Sequence, residues 1–343
     1  MADSYLKSVF RSFPPVARRD ARLERLERRQ AELEDERATS ASGADRQLAR
    51  FRNAFVRRSS FQARVHAERR LRALADEIGA PPASVIQHGK FHVYELARSH
   101  GIDAPRELRR WDDPRDIVWE DLPDLVVVKS AFGSTSRGVF PLRRVADGWQ
   151  VITHDETLSA DHVTSMLAGL VDDEVIRPPF VAEEFLDEDG TGTTMPTDVK
   201  AYAFYGEVPM VVLRRPSRHA DNDAPASFRV IDGDGADVTD FRASTSTIDS
   251  SMPVPDQLAT VIEAASRFSI AIRAPFSRID FYCVSGRVVF GEVTPRPGGN
   301  NWFGPTVDER LGDAWDRATT RLARDVGAGM SPEPERGTFE TGR

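Results

Sequence analysis

The sequence predicts a mixed α+β protein with an N-terminal helical arm. Residues 16–38 lack Gly and Pro and are rich in strong helix formers, which indicates a helix. Residues 254–272 carry apolar side chains at helical spacing, which predicts an amphipathic helix. Residues 278–293 alternate around a Ser-Gly pair, which is the pattern of a β-hairpin. Helices and antiparallel strands therefore share the body of the protein.

Composition and charge limit the classes of function. The chain has 343 residues, of which 40% are apolar, so two or three domains with a substantial core are expected. The net charge of −8 argues against general nucleic-acid binding. Residues 1–80 hold 18 Lys/Arg against 12 Asp/Glu, whereas the remainder is strongly acidic. A basic arm and an acidic body are expected to be separate units.

The single cysteine, Cys283, rules out an internal disulfide and fits a reducing cytosol, so we expect a cytoplasmic protein. We expect Cys283 to pack in the core. The first fifteen residues contain no continuous apolar run, so no signal peptide is expected. No segment reaches the ~18 apolar residues of a membrane-spanning helix, so none is expected.

The arm is expected to hold two helices. In the first, Leu23, Leu26, Gln30 and Leu33 have the a/d-like spacing of a coiled coil, over fewer heptads than such a structure needs. The expected apolar face of the second comprises Leu48, Phe51, Phe55, Val65, Leu71, Leu74 and Ile78. Its arginines could bind phosphates, nucleic acid or anionic lipid. A solvated face, or an arm for self-association or a protein partner, is the alternative.

The other predicted elements follow in chain order. They are a helix at 89–100, strands at 124–130 and 180–186, two strands within 197–215 around Gly206, loops with weak strands over 216–251, the helix 254–272, the hairpin 278–293, a closing helix at 309–327 and a disordered tail at 331–343. No internal repeat is visible.

The hairpin carries a candidate metal site. On the first strand, Asp280 alternates with the apolar residues Ile279, Phe281 and Cys283. On the returning strand, Glu292 has the same parity as Val288 and Phe290. An odd-residue loop would place Asp280 and Glu292 on one side of the hairpin, whereas a two-residue loop would place them on opposite sides. Two converging carboxylates need a cation, and oxygen ligands suit Mg²⁺. The alternative is a pair of surface acids.

A lysine and a flexible loop form a candidate phosphate site. Lys129 ends an apolar strand, where a buried ammonium needs an anionic partner. The loop 133–138 that follows has Gly and small hydroxyl residues, which let backbone N–H groups approach phosphate oxygens. The lysine precedes the loop, unlike the order in a P-loop. The alternative is an ordinary surface turn.

Two further clusters have polar side chains in strands. Glu183 and Glu184 lie in the apolar stretch VAEEFL and could hydrogen-bond an adenine amino group, or could simply be exposed on an edge strand. Lys200, Arg214 and Arg215 lie on neighbouring predicted strands with Asp198 and could neutralise a transferring phosphoryl group. They could equally form a cross-strand ladder of salt bridges.

The order of these motifs resembles the ATP-grasp superfamily. The chain looks most like the ATP-grasp proteins associated with teichuronopeptide synthesis, over about residues 85–315. The resemblance lies in WDDPRDIVWEDLPDLVVVKSAFGSTSRGV, in TDVKAYAFYGEV and in RIDFYCVSGRVVFGEVTPRPG. It implies the ATP-grasp fold, in which two α+β lobes clamp ATP, together with the helical arm. The implied divisions are 1–80 for the arm, 81–186 and 187–330 for the two lobes, and 331–343 for the tail.

The resemblance also implies a role for each matching residue. Lys90 and Lys129 would contact the nucleotide phosphates. The covering loop would contribute Gly133, Ser134, Thr135, Ser136 and Gly138. Adenine would be held by Glu183, Glu184, Phe185 and Leu186. Lys200, Arg214, Arg215 and Arg296 would serve as catalytic cations near the γ-phosphate and the acceptor carboxylate.

Asp280 and Glu292 would hold Mg²⁺ together with Thr294. Many ATP-grasp enzymes have Asn at the position of Thr294, and its hydroxyl could ligate Mg²⁺ or orient a bound water. Asn300 or Asn301 could substitute for that amide, which leaves open whether one or two ions bind.

The resemblance implies a carboxylate–amine ligase that uses ATP and Mg²⁺ and forms an amide through an acylphosphate. Its substrates would be a small-molecule or polymer carboxylate and an amine, with cell-envelope polymer or peptide synthesis as the expected setting. Two alternatives remain: an ATP-dependent kinase acting on a hydroxyl, and a non-catalytic nucleotide-binding or scaffold protein.

Overall fold

The computed structural model describes residues 22, 24–34, 58–79, 89–133, 136–219, 225–241, 247–298 and 303–335. The chain forms two compact units, Met1–Arg58 and Ser59–Arg343. In the first unit, residues 24–34 form an exposed helix, α1, as predicted. Leu26 and Leu33 are solvent-exposed on this helix. Apart from Arg22, which is also helical, the remainder of the predicted first helix lies outside the described residues.

The second unit contains the helices and strands of the body. Its elements are α2 (Phe61–Glu77), α3 (Lys90–Ser99), β1 (Glu107–Trp111), β2 (Leu125–Phe132), β3 (Val139–Val145), β4 (Gly148–Val151), β5 (Thr157–Leu158), α4 (Ala160–Asp172), β6 (Arg177–Glu184), β7 (Asp198–Phe204), β8 (Glu207–Pro216), β9 (Ala226–Asp232), β10 (Thr247–Ile248), α5 (Leu258–Ile272), β11 (Ser277–Val284), β12 (Arg287–Thr294) and α6 (Pro305–Gly327). Short 3₁₀ turns lie at Pro114–Asp116 and Trp119–Asp121.

The first sheet has the strand order β1-β6-β2-β3-β4-β5 and is antiparallel throughout. One face of β2 buries Val126 and Val128 against α4, because alternate side chains of a strand point to the same face. Lys129 lies on the opposite face. The sequence predicted β2 and β6, but it missed β1, β3 to β5 and α4.

The second sheet has the order β10-β9-β8-β7-β11-β12, and only the β9–β10 pair is parallel. Helices cover both of its faces. One face packs against α3 and α5, and the other packs against α2 and α6. The central strands β7 and β8 are consequently buried on both sides, which explains their long apolar runs. β9 is a full strand of seven residues in the region predicted as loops with weak strands.

Helix α2 packs with the body, although the sequence predicted a domain boundary after residue 80. Its first turn buries Phe61 and Val65 in the core shared with α6. Gly312 of α6 permits this close approach, since a Cβ there would lie 2.4 Å from the Ser60 nitrogen. The predicted apolar face is wrong beyond Val65, because Leu71, Leu74 and Ile78 are exposed. Leu48, Phe51 and Phe55 lie outside the described residues.

In the hairpin β11–β12, Asp280 and Glu292 lie on one side, but not through the odd-residue loop on which that alternative depended. The loop has two residues, Ser285 and Gly286, with φ of 51° and 77°. An odd-residue loop was therefore the wrong route to a shared side. A β-bulge supplies the shift instead, because Asp280 pairs with Glu292 while Phe281 pairs with Phe290, leaving Gly291 as the extra residue. Phe290 and Glu292 consequently do not share a face, contrary to the predicted parity.

Among the described residues, no helix is both long and apolar enough to cross a membrane. Cys283 is half-buried and packs against the core of the second sheet, as expected. Burial raises the pKa of its thiol to about 11, which leaves it uncharged at neutral pH. A protonated, half-buried thiol is a packing group and a poor nucleophile.

Candidate active site

Lys129 is a buried cation at the face of the first sheet away from α4. Its Nζ donates to Glu183 Oε1 at 2.5 Å and to Tyr94 Oη at 2.6 Å. Burial by itself would lower the pKa of Lys129, but Glu183 and Tyr94 stabilise the ammonium and raise it. The side chain is only 7% exposed. Lys129 is therefore a fixed positive charge held by two neighbours.

Lys90 is a second cation close to Lys129. It begins α3, and Gly89 before it lies against the Phe132 ring at the end of β2. Burial and the positive charge of Lys129 lower the pKa of Lys90, while Glu292 and Glu183 oppose that shift. The structure describes no hydrogen bond or ion pair for its ammonium among the described residues. A half-buried cation without such a partner is suited to an anionic ligand.

The predicted covering loop lies between β2 and β3, and the structure describes residues 133 and 136–138 of it. Ser136 and Gly138 have positive φ values of 61° and 70°, and the Ser130 nitrogen donates to the Gly138 carbonyl at 3.1 Å. A Cβ at Gly133 would lie 2.8 Å from the Arg137 carbonyl oxygen. The glycines are thus required by the shape of the turn. Ser134 and Thr135 lie outside the described residues.

The predicted adenine-binding residues lie at the end of β6. Glu183 is committed to Lys129, while Glu184 Oε1 accepts from the Arg106 nitrogen at 3.1 Å. Glu184 and Phe185 line an open cavity of about 550 Å³, which is within the usual size range of small-molecule sites. Leu186 packs in a small apolar cluster with the hairpin. This segment therefore lies at the junction between the first and the second sheet.

In the second sheet, the paired carboxylates of Asp280 and Glu292 are surrounded by cations. Arg278 donates to Asp280 Oδ1 at 2.7 Å, to Glu292 Oε1 at 3.2 Å and to Thr294 Oγ1 at 2.9 Å. Lys200 donates to Asp280 Oδ2 at 2.6 Å. The predicted residues Lys200, Asp280, Glu292 and Thr294 therefore converge, as the sequence suggested.

The two carboxylates have different electrostatic surroundings. Burial alone would raise the pKa of Asp280, but Arg278 and Lys200 lower it to about 2. Enclosure by the cleft and the neighbouring Asp280 charge raise the pKa of Glu292. Protein atoms surround Glu292, yet half of its side-chain surface still contacts solvent. Glu292 is therefore the carboxylate open to a ligand.

Arg214 joins this cluster and Arg215 does not. Asp198 accepts from Lys200 and from Arg214 Nη1, each at 3.1 Å. This matches the cross-strand ladder that the sequence left open. Arg215 follows in the strand and bonds Thr197 on the other face, at 3.0 Å. Its predicted place beside Lys200 is not supported by the register.

The sequence reasoning missed Arg278 and Tyr94. Arg278 lies two residues before Asp280 on the same strand, and that R-x-D spacing was the available signal. Tyr94 lies close to both halves of the site, because its hydroxyl bonds Lys129, and burial raises its pKa while the charges of Glu183 and Glu292 add to that rise. Only the tertiary structure shows that connection.

Comparison with models of known protein families shows the family to which this chain belongs. The model of a family described as TupA-like ATP-grasp matches residues 69–316. The chain belongs to the TupA-like ATP-grasp family. This confirms the family expected from the motifs and the predicted α+β architecture with helices at the N-terminus. It also confirms the expected class, an ATP-grasp enzyme that uses ATP, whereas Mg²⁺ remains a prediction.

Solved structures give more distant similarities. The D-alanine–D-alanine ligase of Bacillus anthracis is 17% identical over 75% of this chain and 77% of its own, with a TM-score of 0.47. The ATP-grasp ligase PsnB complexed with a minimal precursor is 14% identical over 71% and 67%, with a TM-score of 0.40. The Helicobacter pylori D-alanine–D-alanine ligase is 13% identical over 74% and 65%, with a TM-score of 0.38. No curated protein matches the chain.

The site of this TupA-like chain fits Mg²⁺ by its donor chemistry. Within the described part of the chain, no three His, Cys, Asp or Glu residues converge as a metal cage. Mg²⁺ does not need one, because it is usually held by one or two carboxylates, several waters and the substrate phosphates. Asp280, Glu292 and the Thr294 hydroxyl supply oxygen donors of this kind. The Lys90 ammonium, which has no hydrogen-bond or ion-pair partner among the described residues, supplies a matching contact for phosphate.

Proposed function

We propose that this protein is an ATP-dependent carboxylate–amine ligase that forms an amide or peptide bond through an acylphosphate. The observation that supports the proposal most strongly is the pairing of two complementary half-sites. Lys90 and Lys129 present positive charge beside the first sheet, while Asp280 and Glu292 present paired carboxylates on the second. Tyr94 bonds Lys129, and the charge of Glu292 acts on both Tyr94 and Lys90. Together they suit a magnesium–triphosphate.

The proposed reaction has two steps. A carboxylate oxygen of the first substrate attacks the γ-phosphorus of ATP, and the bond to the β-phosphate oxygen breaks to release ADP. The amine of the second substrate then attacks the acyl carbon. The bond from that carbon to the phosphate oxygen breaks, inorganic phosphate leaves, and the nitrogen loses a proton.

The chain's own residues neutralise and orient the reacting groups. Lys90 and Lys129 bind phosphate oxygens, and Glu183 keeps Lys129 in place. Asp280, Glu292 and Thr294 would hold Mg²⁺, which supplies charge neutralisation at the phosphates when bound. Lys200 and Arg278 add positive charge where negative charge develops. Phosphoryl transfer depends largely on such positioning and charge stabilisation.

We place the nucleotide base at the segment 183–186, beside the open cavity that Glu184 and Phe185 line. We assign the covering role to the loop 133–138. In this proposal Arg214 has an indirect role. It pairs with the Asp198 carboxylate, which also pairs with Lys200. Arg296 is half-buried just beyond Thr294 and is assigned to the substrate side of the site.

We propose cell-envelope polymer or peptide synthesis in the cytoplasm as the setting. The family description and the resemblance to teichuronopeptide-type proteins support that choice. The substrates would then be a small-molecule or polymer carboxylate and an amine. The exposed leucines of α1 support an additional role of the arm in self-association or in binding a protein partner.

The test measures ADP and inorganic phosphate released by the purified protein with amino acids, sugar acids and short peptides. A ligase gives equal ADP and phosphate together with an amide product. ADP with a phosphorylated hydroxyl and no free phosphate would identify a kinase and overturn the proposal.

A matched pair of variants tests the site assignment. Glu292→Ala should reduce turnover by at least about 100-fold, because it removes a proposed metal ligand from a positioned charge cluster. Glu263→Ala is the control, since Glu263 is an exposed residue of α5 with a side chain 71% accessible. Full activity of Glu292→Ala would show the assignment to be wrong.

A further inference from the structure

Helix α2 lies on the same face of the second sheet as the charge cluster. Phe61 at its start contacts the Tyr202 ring at 5.9 Å and the Phe303 ring at 5.7 Å. Tyr202 is the cross-strand partner of Arg278, the arginine that bridges Asp280 and Glu292. The helix therefore packs next to the residues of the proposed active site.

The start of α2 is rigidly anchored. Ser59 Oγ donates to Asp316 Oδ2 at 2.6 Å, and the Gln62 nitrogen donates to Asp308 Oδ1 at 2.8 Å. The Ser60 hydroxyl caps the helix by accepting from the Ala63 nitrogen at 3.1 Å. Both aspartates belong to α6. These contacts fix the start of α2 on α6.

From this anchored helix, two side chains hold the segment that links β12 to α6. Arg69 Nη2 donates to the Pro297 carbonyl oxygen at 2.8 Å. Gln62 Nε2 donates to the Phe303 carbonyl oxygen at 3.3 Å. The described parts of the loop on both sides of residues 299–302 are therefore attached to one helix.

The loop carries a cation with no described partner. Arg296 is half-buried, and the structure gives its guanidinium no ion pair or hydrogen bond among the described residues. It lies between Thr294, which bonds Arg278, and Pro297, which Arg69 holds. A guanidinium in such a place is suited to bidentate recognition of a carboxylate.

We propose that α2 positions the described parts of this loop for substrate binding, with Arg69 and Gln62 as positioning residues for Arg296, which the proposed function already assigns to the substrate side of the site. The inference rests on the proposed ligase function and extends it to the acceptor side. It also assigns a role within the body to a helix that the sequence placed in the arm.

The first experiment needs no substrate. Hydrogen–deuterium exchange of peptides covering 295–304 is compared in the full-length protein, Arg69→Ala, Arg69→Lys and Arg70→Ala. Loss of the Arg69 hydrogen bond should speed exchange in this loop by about 5-fold. Arg69→Lys should restore most of the protection, because its ammonium also donates. Arg70 is exposed on the same helix, makes no described contact, and should leave exchange unchanged.

The second experiment uses the carboxylate from the ADP-release panel that gives the fastest turnover. Arg69→Ala should raise KM for that carboxylate by about 5-fold and leave KM for ATP unchanged, because only the acceptor side is misplaced. Arg296→Ala should raise the same KM further. A loss of general stability would instead lower kcat and affect both substrates.

The outcomes separate this inference from the proposed function. If the unsubstituted protein releases no ADP with any carboxylate, the proposed function fails while the exchange experiment still decides the positioning role. If exchange over 295–304 is the same in Arg69→Ala and Arg70→Ala, the positioning role is overturned. If Arg69→Ala unfolds at the assay temperature, Arg69→Met, which keeps most of the aliphatic stem, replaces it in both experiments.

Discussion

At the scale of single residues, the Lys129–Glu183 pair is the clearest example of charge buried with its partner. Both side chains are less than a tenth exposed. Each group would be costly alone, because burial removes the water that solvates its charge. Burial also raises the pKa of Tyr94, the second partner of Lys129, to about 12, so its hydroxyl stays protonated.

Removal of Lys129 should therefore destabilise the protein through Glu183. Lys129→Met should lower the free energy of unfolding by about 3–5 kcal/mol, because it leaves a buried carboxylate without its cation. Urea unfolding followed by tryptophan fluorescence measures this change.

A paired variant separates stability from function. Lys129→Met combined with Glu183→Leu should recover much of the lost stability, since well-packed apolar residues can replace a buried ion pair. It should not recover ADP release. If the double variant were as unstable as the single one, the pair would not be the cause of the loss.

At the scale of elements, the bulge at Gly291 decides where Glu292 points. A Cβ at Gly291 would lie 2.8 Å from Tyr282 Cε2 and 3.2 Å from the Asp280 carbonyl oxygen. The hairpin alternation left open whether Asp280 and Glu292 share a side, because the two-residue loop that the structure has would by itself put them on opposite sides. The bulge was missed, although an isolated Gly within a strand, such as Gly291, is a local signal of one.

Gly291→Ala should therefore move Glu292 out of register with Asp280. We expect ADP release to fall by about 100-fold, because an ångström-scale displacement of a catalytic group has effects of that size. The control is Gly169→Ala in α4, where no atom lies within 4 Å of the new Cβ. That change should be neutral or stabilise the helix by about 1 kcal/mol. Equal activity of the two variants would contradict the role of the bulge.

Hydrogen bonds of His219 and His154 join the segment after β8 to the first sheet. His219 Nε2 donates to the Val139 carbonyl oxygen at 3.0 Å, and the His219 nitrogen donates to Thr153 Oγ1 at 2.7 Å. His154 Nε2 donates to the His219 carbonyl oxygen at 2.9 Å. Sequence reasoning gave the histidines no role, because their spacing showed no pattern.

We expect the contact between His219 and the first sheet to weaken as the pH falls. Burial lowers the pKa of His219 below its usual value near 6.5, and the groups facing it are His154, Asp198 and Arg214. Above pH 6.5 the ring is neutral whether the chain is folded or unfolded. As pH falls below that value, the unfolded chain gains a proton that the folded chain resists, so folding stability is lost.

Unfolding in urea at pH 7.5 and 5.5 measures this loss. The fall in unfolding free energy between the two pH values should be smaller in His219→Gln than in the unsubstituted protein. His66→Gln, an exposed position on α2, should behave like the unsubstituted protein. Identical falls in all three proteins would show that His219 does not titrate as described.

At the scale of the whole molecule, the order of motifs identified the fold better than any single motif did. Lys129, Lys200, Asp280 and Glu292 were all singled out from strand patterns, but strand parity alone did not show that Asp280 and Glu292 converge, because a bulge sets their register. Arg214 could not be distinguished from Arg215 until the register with Asp198 was known. The attachment of α2 to the body was not predictable, since it depends on Phe61 fitting an aromatic cluster and on Gly312 allowing close approach.

The central claim is that the lysines beside the first sheet and the carboxylates of the second act as one magnesium–nucleotide site. Calorimetric titration of a non-hydrolysable ATP analogue, with and without Mg²⁺, tests it in the unsubstituted protein, Lys90→Gln, Glu292→Gln and the double variant. Lys90→Gln should weaken binding in both conditions, whereas Glu292→Gln should remove most of the gain that Mg²⁺ provides. Affinities that are unchanged in all three variants would contradict the account.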